Sequence, residues 1–193
     1  MKKVLFLDFD GVMCLSTEWG GRFNKQKSWN KLNPDNQVLY TNDFDKMDVE
    51  YRFDNFNKKA LKVLNQILVE TDVEIVVSSD WRFSCTLAEM KDLFKKYGVI
   101  KEPIDYTPTL DIEDFDTLNK NSYFGEERSF EIKKWLALHP EVTQWVAVDD
   151  IDMNEKFKDG EVINGLSNFV HTKKESEGIK QSGIKEKIIN FLK

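Results

Sequence analysis

The 193-residue chain contains only two cysteines, two histidines and four prolines, and two of these scarcities exclude whole classes of site. Cys14 and Cys85 are too few to build a disulfide framework, and they lack C-x-x-C spacing. We therefore expect both to be reduced thiols with a structural role. His139 and His171 stand alone in the sequence and predict no zinc site.

Long apolar runs and an excess of positive charge are also missing. No apolar stretch approaches the roughly 18 residues of a membrane span, and the first apolar run meets an aspartate too early for a signal peptide. The formal charge of −6 disfavours a broad surface for nucleic acid or anionic membrane, although it permits a local basic patch. We expect a cytoplasmic protein with no membrane partner.

The apolar segments that are present are short, and helical patterns separate them. Runs near 3–8, 73–77 and 142–148 predict strands, and the first of them should be buried on both faces because its apolar residues are continuous rather than alternating. Weaker strands are expected near 104–106 and 168–172. Helical spacing predicts four helices, which begin near Leu61, Leu87, Phe130 and Ile184. This alternation predicts an α/β fold, a parallel sheet with helices on both faces.

Each of the three strong strands is followed at once by polar or acidic side chains. In a parallel sheet the carboxyl ends of the strands form the ligand-binding crevice, so these side chains should converge there. They are Asp8 and Asp10 after the first strand, Ser78 and Ser79 after the second, and Asp149 and Asp150 after the third.

Four carboxylates in one crevice need a compensating cation. Two unit charges about 4 Å apart repel by about 4 kcal/mol at an effective dielectric constant near 20. Oxygen ligands without histidine or cysteine favour a hard cation. Mg²⁺, bound by one or two carboxylates together with a substrate phosphate and water, fits best.

The motifs and their order resemble the haloacid dehalogenase (HAD) superfamily, most of whose members are Mg²⁺-dependent phosphatases. Its first motif is matched by Asp8-Phe9-Asp10-Gly11-Val12, its second by Val76-Val77-Ser78 and its fourth by Val146-Ala147-Val148-Asp149-Asp150. Arg128 stands where the third motif supplies Lys or sometimes Arg, and Lys133 and Lys134 are alternatives. Ser-Ser-x-Trp-Arg after the second strand and Arg-x-x-Glu-Ile-x-x-Trp-Leu also resemble a small HAD branch associated with RNA repair.

The resemblance implies a role for each motif. Asp8 would be the nucleophile that forms an aspartyl-phosphate, and Asp10 would act as general acid and then as general base. Ser78 would bind the substrate phosphate, with Ser79 as an alternative. The implied Mg²⁺ contacts come from Asp8, from Asp149 and from Asp10, the last through its backbone carbonyl.

Three further residues have two interpretations each. Arg128 would neutralise the phosphate, or it is a solvated arginine at the start of a helix. Trp81 and Arg82 line the crevice, with Arg82 as an accessory charge, or they belong to a packing cluster. Asp150 is an accessory candidate for the outer coordination of the metal.

The resemblance also implies a single HAD-like Rossmannoid domain over residues 1–193, with 15–57 as a small cap. The first part of this insert carries basic and aromatic residues. They either stack on a base and hold a phosphate backbone or form a solvated loop pinned by aromatics. They are Arg22, Lys25, Lys27, Lys31, Trp19, Phe23 and Trp29.

The function that these motifs predict is Mg²⁺-dependent hydrolysis of a phosphate monoester through an aspartyl-phosphate on Asp8. The expected partner is a phosphorylated small molecule or nucleotide. Three alternatives remain: a 3′ or 5′ nucleic-acid-end phosphatase in nucleic-acid repair, a phosphotransferase that uses the same intermediate, and a noncatalytic phosphate-binding module.

Overall fold

The computed structural model describes residues 2–16, 55–111, 114, 124–158, 161–163 and 165–193. The predicted cap at 15–57, with its basic and aromatic side chains, therefore lies mostly outside the described residues. Among the described residues, no helix is long and apolar enough to cross a membrane.

The strands of the described residues are β1 (Lys2–Leu7), β2 (Glu74–Val77), β3 (Pro103–Tyr106), β4 (Val142–Asp149), β5 (Lys156–Lys158), β6 (Glu161–Ile163) and β7 (Phe169–His171). Five of them form a parallel central sheet, in the order β3-β2-β1-β4-β7. A separate antiparallel hairpin is formed by β5 and β6.

In the described part of the chain, the helices with defined bounds are α1 (Lys58–Thr71), α2 (Leu87–Lys96), α3 (Phe124–Leu138) and α4 (Ile184–Phe191). Asn57 caps α1, because its side chain accepts hydrogen bonds from two backbone amides of the first turn. Thr86 and Glu89 form a reciprocal capping box at the start of α2. Short 3₁₀ turns span Asp80–Phe83 and Gly178–Lys180.

Alternate residues of the buried strands pack on opposite faces of the sheet. Leu5 and Leu7 of β1 join the core with α1, α2 and α4. Val4 and Phe6 join a second core, which contains Trp135 of α3. The covering of both faces explains why the apolar run of β1 is continuous, and the predicted α/β architecture is confirmed.

Most predicted elements occur within one to three residues of their expected positions, with two differences. The third predicted helix was expected to begin near Phe130, but α3 begins at Phe124. The prediction was late because the first turns of α3 are mainly polar and carry no apolar period. The β5–β6 hairpin was not predicted, although the sequence places Asp159-Gly160 between the two strands, a dipeptide typical of hairpins. Cys14 and Trp135 are buried.

Candidate active site

The carboxyl ends of three adjacent strands bring Asp8, Ser78 and Asp149 side by side. Leu7 pairs with Val77 on one side and with Val148 on the other, so the next residue along each strand forms the following row. The row is continued by backbone hydrogen bonds from Asp8 N to Val148 O, 3.1 Å, and from Ser78 N to Leu7 O, 3.0 Å. The predicted convergence of the first, second and fourth motifs is therefore found in the structure.

Arg128 of α3 lies directly over this row. Its Nη1 donates to Asp8 Oδ1 at 2.9 Å and to the carbonyl oxygen of Ser78 at 2.6 Å, and it lies 3.3 Å from Asp149 Oδ2. Its Nη2 donates to Asp80 Oδ1 at 2.8 Å. The side chain is buried, which excludes the interpretation of Arg128 as a solvated helix-start residue.

The two alternative cations on α3 lie away from the row. Lys133 is exposed. Lys134 forms ion pairs with Asp111 and Asp114, at 3.2 Å and 2.6 Å. Of these three residues, Arg128 alone contacts Asp8 in the described part of the chain.

Asp8, Asp149 and Asp150 form a compact acidic group. One carboxylate oxygen from each lies within 4.8 Å of the other two. Asp149 Oδ1 also accepts a hydrogen bond from the amide of Ile151, at 2.8 Å. Three carboxylates this close together repel one another, so the group needs a positive charge beside it.

The pKa values of these three carboxyl groups are displaced upward. Burial raises the pKa of Asp8 to about 7, although Arg128 and a hydrogen bond from Ser79 oppose the rise. Burial, and then the charge of Asp8, raises the pKa of Asp149 well above its usual range. The pKa of Asp150 is raised by burial and by the nearby Glu175. Burial acts to lower the pKa of Arg128, but Asp8, Asp149 and Asp80 reverse the effect.

The chemistry of this group fits a divalent cation. Its donors are all carboxylate oxygens, the ligands that Mg²⁺ prefers, and a single arginine cannot neutralise three aspartates. A bound Mg²⁺ would favour the ionised forms that burial now disfavours. Asp8, Asp149 and Asp150 are the side chains that could hold it. Asp150, which the sequence suggested as an accessory residue in the outer coordination of the metal, supplies one of the three clustered carboxylates.

Gly11 makes room for Asp150. Its φ of +66° is in the left-handed region, and a Cβ atom at this position would collide with the Asp150 side chain. The turn that it forms is closed by a hydrogen bond from Gly11 N to Cys14 O, 2.8 Å. The glycine of the first motif therefore allows β1 to turn sharply while an acidic side chain packs against the turn.

The carboxylate of Asp10 is directed elsewhere. It is not part of the acidic group, and its Oδ2 accepts a 2.8 Å hydrogen bond from the indole Nε1 of Trp81. Trp81 itself is buried and packs against Phe9 and Phe56. Trp81 is therefore a core residue that also contacts a predicted site residue. The predicted contact of the Asp10 backbone carbonyl with a metal stays a prediction.

The remaining predicted residues line the row or support it. Within the described residues, the buried hydroxyl of Ser78 makes no hydrogen bond, so it is available to a ligand, whereas a hydrogen bond from Ser79 acts to lower the pKa of Asp8. Arg82 does not reach Asp8: its Nη2 donates to Glu131 Oε1 of α3 at 2.6 Å. Glu131 and Asp80 were not predicted as site residues. The sequence shows Glu131 three positions after Arg128, but it contains no signal that Glu131 would pair with Arg82.

The sequence matches one family model over residues 4–181, and the family is described as the HAD domain in Swiss Army Knife RNA repair proteins. No curated protein matches the chain, and no solved structure does.

Proposed function

We propose, on the premise that the chain belongs to the family of HAD domains found in Swiss Army Knife RNA repair proteins, that it is a Mg²⁺-dependent phosphatase whose nucleophile is Asp8. The observation that carries this proposal is the contact between Asp8 Oδ1 and Arg128 Nη1, 2.9 Å, beside Asp149 and Asp150. A buried carboxylate, a cation for phosphoryl oxygens and a set of oxygen ligands for a metal thus meet at one point.

Bound Mg²⁺ would supply charge neutralisation for the phosphoryl oxygens and for the carboxylates around it. Asp8 would attack phosphorus with one carboxylate oxygen, and the bond from phosphorus to the leaving oxygen would break. The Arg128 guanidinium would hold the phosphoryl oxygens, since planar N–H donors match their geometry. The free hydroxyl of Ser78 would donate a further hydrogen bond to the same group.

Asp10 would move the protons. It would give a proton to the leaving oxygen in the first step and take one from the water that releases Asp8 in the second. The hydrogen bond from Trp81 holds Oδ2 of this carboxyl in place. The other oxygen, Oδ1, is therefore the atom that we assign to proton transfer.

The proposal is tested by measuring phosphate release from sugar phosphates, nucleoside monophosphates and phosphorylated oligonucleotides, with Mg²⁺ and with EDTA. We expect turnover of at least one class in Mg²⁺ and none in EDTA. A protein that binds phosphate monoesters but releases no phosphate under any condition would instead be the noncatalytic module. Product that forms only with an added acceptor alcohol would identify a phosphotransferase.

A nucleic-acid end is the second candidate substrate, and the description of the family as a domain of RNA repair proteins favours it. The chemistry would be unchanged, and the difference would lie in what surrounds the scissile phosphate. RNA and DNA oligonucleotides that carry a 3′- or 5′-phosphate, compared with free nucleotides at equal concentration, separate the two candidates. A kcat/KM at least tenfold higher for one type of end would support an end phosphatase.

A further inference from the structure

A cavity of about 270 Å³ lies beside the row formed by Asp8, Ser78 and Asp149, and Arg128 borders both. Nη1 of Arg128 contacts Asp8, and its Nη2 contacts Asp80 at the edge of the cavity. The rest of the lining comes from the 3₁₀ turn after β2, from Thr109 and Leu110 after β3, and from α3. The cavity therefore lies next to the position at which a phosphate would contact Asp8 and Arg128.

Phe83 gives the cavity an aromatic edge. Its side chain is 61% exposed, and it is the only aromatic among the large apolar side chains that are strongly exposed in the described residues. Leaving a phenyl ring in water costs free energy. Core packing does not offset this cost, because Phe83 belongs to neither hydrophobic core of the described residues. An exposed ring at the edge of a cavity is the arrangement expected of a stacking platform.

One face of the Phe83 ring is supported from below. The Arg82 guanidinium carbon lies 4.3 Å from the ring centroid, and the Arg82 side chain is only 3% exposed. Arg82 is in turn anchored to Glu131 of α3 at 2.6 Å. This chain of contacts holds the ring against a fixed cation and leaves its other face for a ligand.

The charges around the cavity decide between two kinds of ligand. Two cationic side chains, Arg82 and Arg128, face three acidic ones, Asp80, Glu127 and Glu131. Arg128 and Arg82 are already paired with carboxylates. A second phosphate group would therefore find neither arginine uncommitted, whereas a neutral aromatic ring needs no cation.

We propose that this cavity binds the nucleobase of the substrate, stacked on Phe83, so that the preferred substrates are phosphates of nucleosides or of nucleotide ends rather than of simple sugars or alcohols. This inference rests on the proposed phosphatase function for the position of the phosphate. Phe83 is a specificity-determining residue, and Arg82 and Glu131 are positioning residues that fix it.

The test compares a nucleoside 5′-monophosphate with ribose 5-phosphate, which carries the same sugar and phosphate without the base. We expect Phe83→Ala to lower kcat/KM for the nucleotide by about tenfold or more, the range found for removal of base–aromatic stacking. For ribose 5-phosphate the same variant should change kcat/KM by less than about twofold. Phe83→Trp should retain the activity on the nucleotide. Leu138→Ala, which truncates another exposed apolar side chain at the far end of α3, should leave the turnover of both substrates unaffected.

Binding to Asp8→Asn, with and without Phe83→Ala, separates this inference from the function on which it rests. If the wild type releases no phosphate but Asp8→Asn binds the nucleotide at least tenfold more tightly than ribose 5-phosphate, and Phe83→Ala removes the difference, the function fails and the base site stands. Equal affinities for the two ligands, or a difference that survives Phe83→Ala, would overturn the base site whatever the activity.

Discussion

The indole nitrogen of Trp81 donates a 2.8 Å hydrogen bond to Oδ2 of Asp10, a residue 71 positions earlier in the chain. This contact joins the 3₁₀ turn after β2 to the turn after β1. It fixes one oxygen of the carboxyl group that the proposed mechanism uses for proton transfer. A side chain that packs in the core thus also orients a reacting group.

Trp81→Phe should therefore slow the chemistry while preserving the aromatic packing. We expect kcat to fall by about tenfold, the loss typical when a hydrogen bond that orients a site residue is removed, with little change in KM. Trp135→Phe is the matched control. In the wild type, Nε1 of Trp135 donates a hydrogen bond to Asp105 at 2.7 Å, and Asp105 is not part of the acidic group. Both variants should lose about 1 kcal/mol of stability, and only Trp81→Phe should lose turnover. Equal effects on kcat would contradict the orienting role.

Substitutions on α3 test which cation faces the phosphate. Arg128→Met should reduce kcat/KM by at least about 100-fold, because it removes the donor to Asp8 and the proposed donor to the phosphate. Arg128→Lys keeps the charge but not the two-pronged geometry, so a partial loss is expected. Lys133→Met and Lys134→Met should remain near wild type. Strong loss of activity in either lysine variant, measured by steady-state kinetics, would transfer the role to that lysine.

Two glycines with positive φ allow a controlled test of the acidic group. Gly11→Ala places a methyl group against Asp150, whereas Gly98→Ala adds a methyl group at φ +84° with nothing within 4 Å. Both variants pay for the left-handed conformation, so their difference reports the collision alone. We expect Gly11→Ala to weaken Mg²⁺ affinity by about tenfold and Gly98→Ala to leave it unchanged, as measured by calorimetric titration. Equal Mg²⁺ affinities would place Asp150 outside the metal site.

The stability of the ion-free protein should fall as the pH rises from about 4 to 7. The pKa of Asp8 is raised to about 7 in the folded state, so between these pH values the folded protein binds more protons than the unfolded one. The stabilisation from the protonated group is complete below the unfolded pKa and is lost as the pH passes the folded one. Asp149 and Asp150 act in the same direction.

Mg²⁺ should reverse this loss, because it favours the ionised carboxylates. At a Mg²⁺ concentration about 100 times the Kd, Tm should rise by about 5 to 10 °C at pH 8 and by much less at pH 5. Asp149→Asn should abolish the rise at pH 8. A shift in Tm that is the same at both pH values, followed by differential scanning calorimetry, would be incompatible with a metal bound by these groups.

The strands and their acidic ends could be predicted because both signals are local. The apolar run Val4–Leu7 is buried on both faces, so it contains no polar alternation, and Asp8 follows it directly. The register of a parallel sheet then places Asp8 beside Ser78 and Asp149 without any further information. The helix that carries Arg128 was predicted to begin too late, because its first turns lack apolar spacing.

The contacts that support the site could not be predicted in the same way. Arg82 pairs with Glu131 and Trp81 bonds to Asp10 across 49 and 71 residues, and no periodic pattern links either pair. Their partners depend on how the 3₁₀ turn Asp80–Phe83 packs against α3, which is a tertiary relationship. The exposure of Phe83 was likewise invisible, because a phenylalanine in a sequence is expected to be buried.

The most direct test of the account is the Mg²⁺-dependent release of phosphate by Asp8→Asn, measured beside the wild type and beside Asp72→Asn, which changes an exposed aspartate at the end of α1. Asn keeps the shape of the side chain but cannot act as a nucleophile, so kcat should fall by at least about 1,000-fold while thermal unfolding shows an intact fold. Asp72→Asn should retain wild-type turnover. An Asp8→Asn protein that is folded and releases phosphate within about tenfold of the wild-type rate would contradict the account.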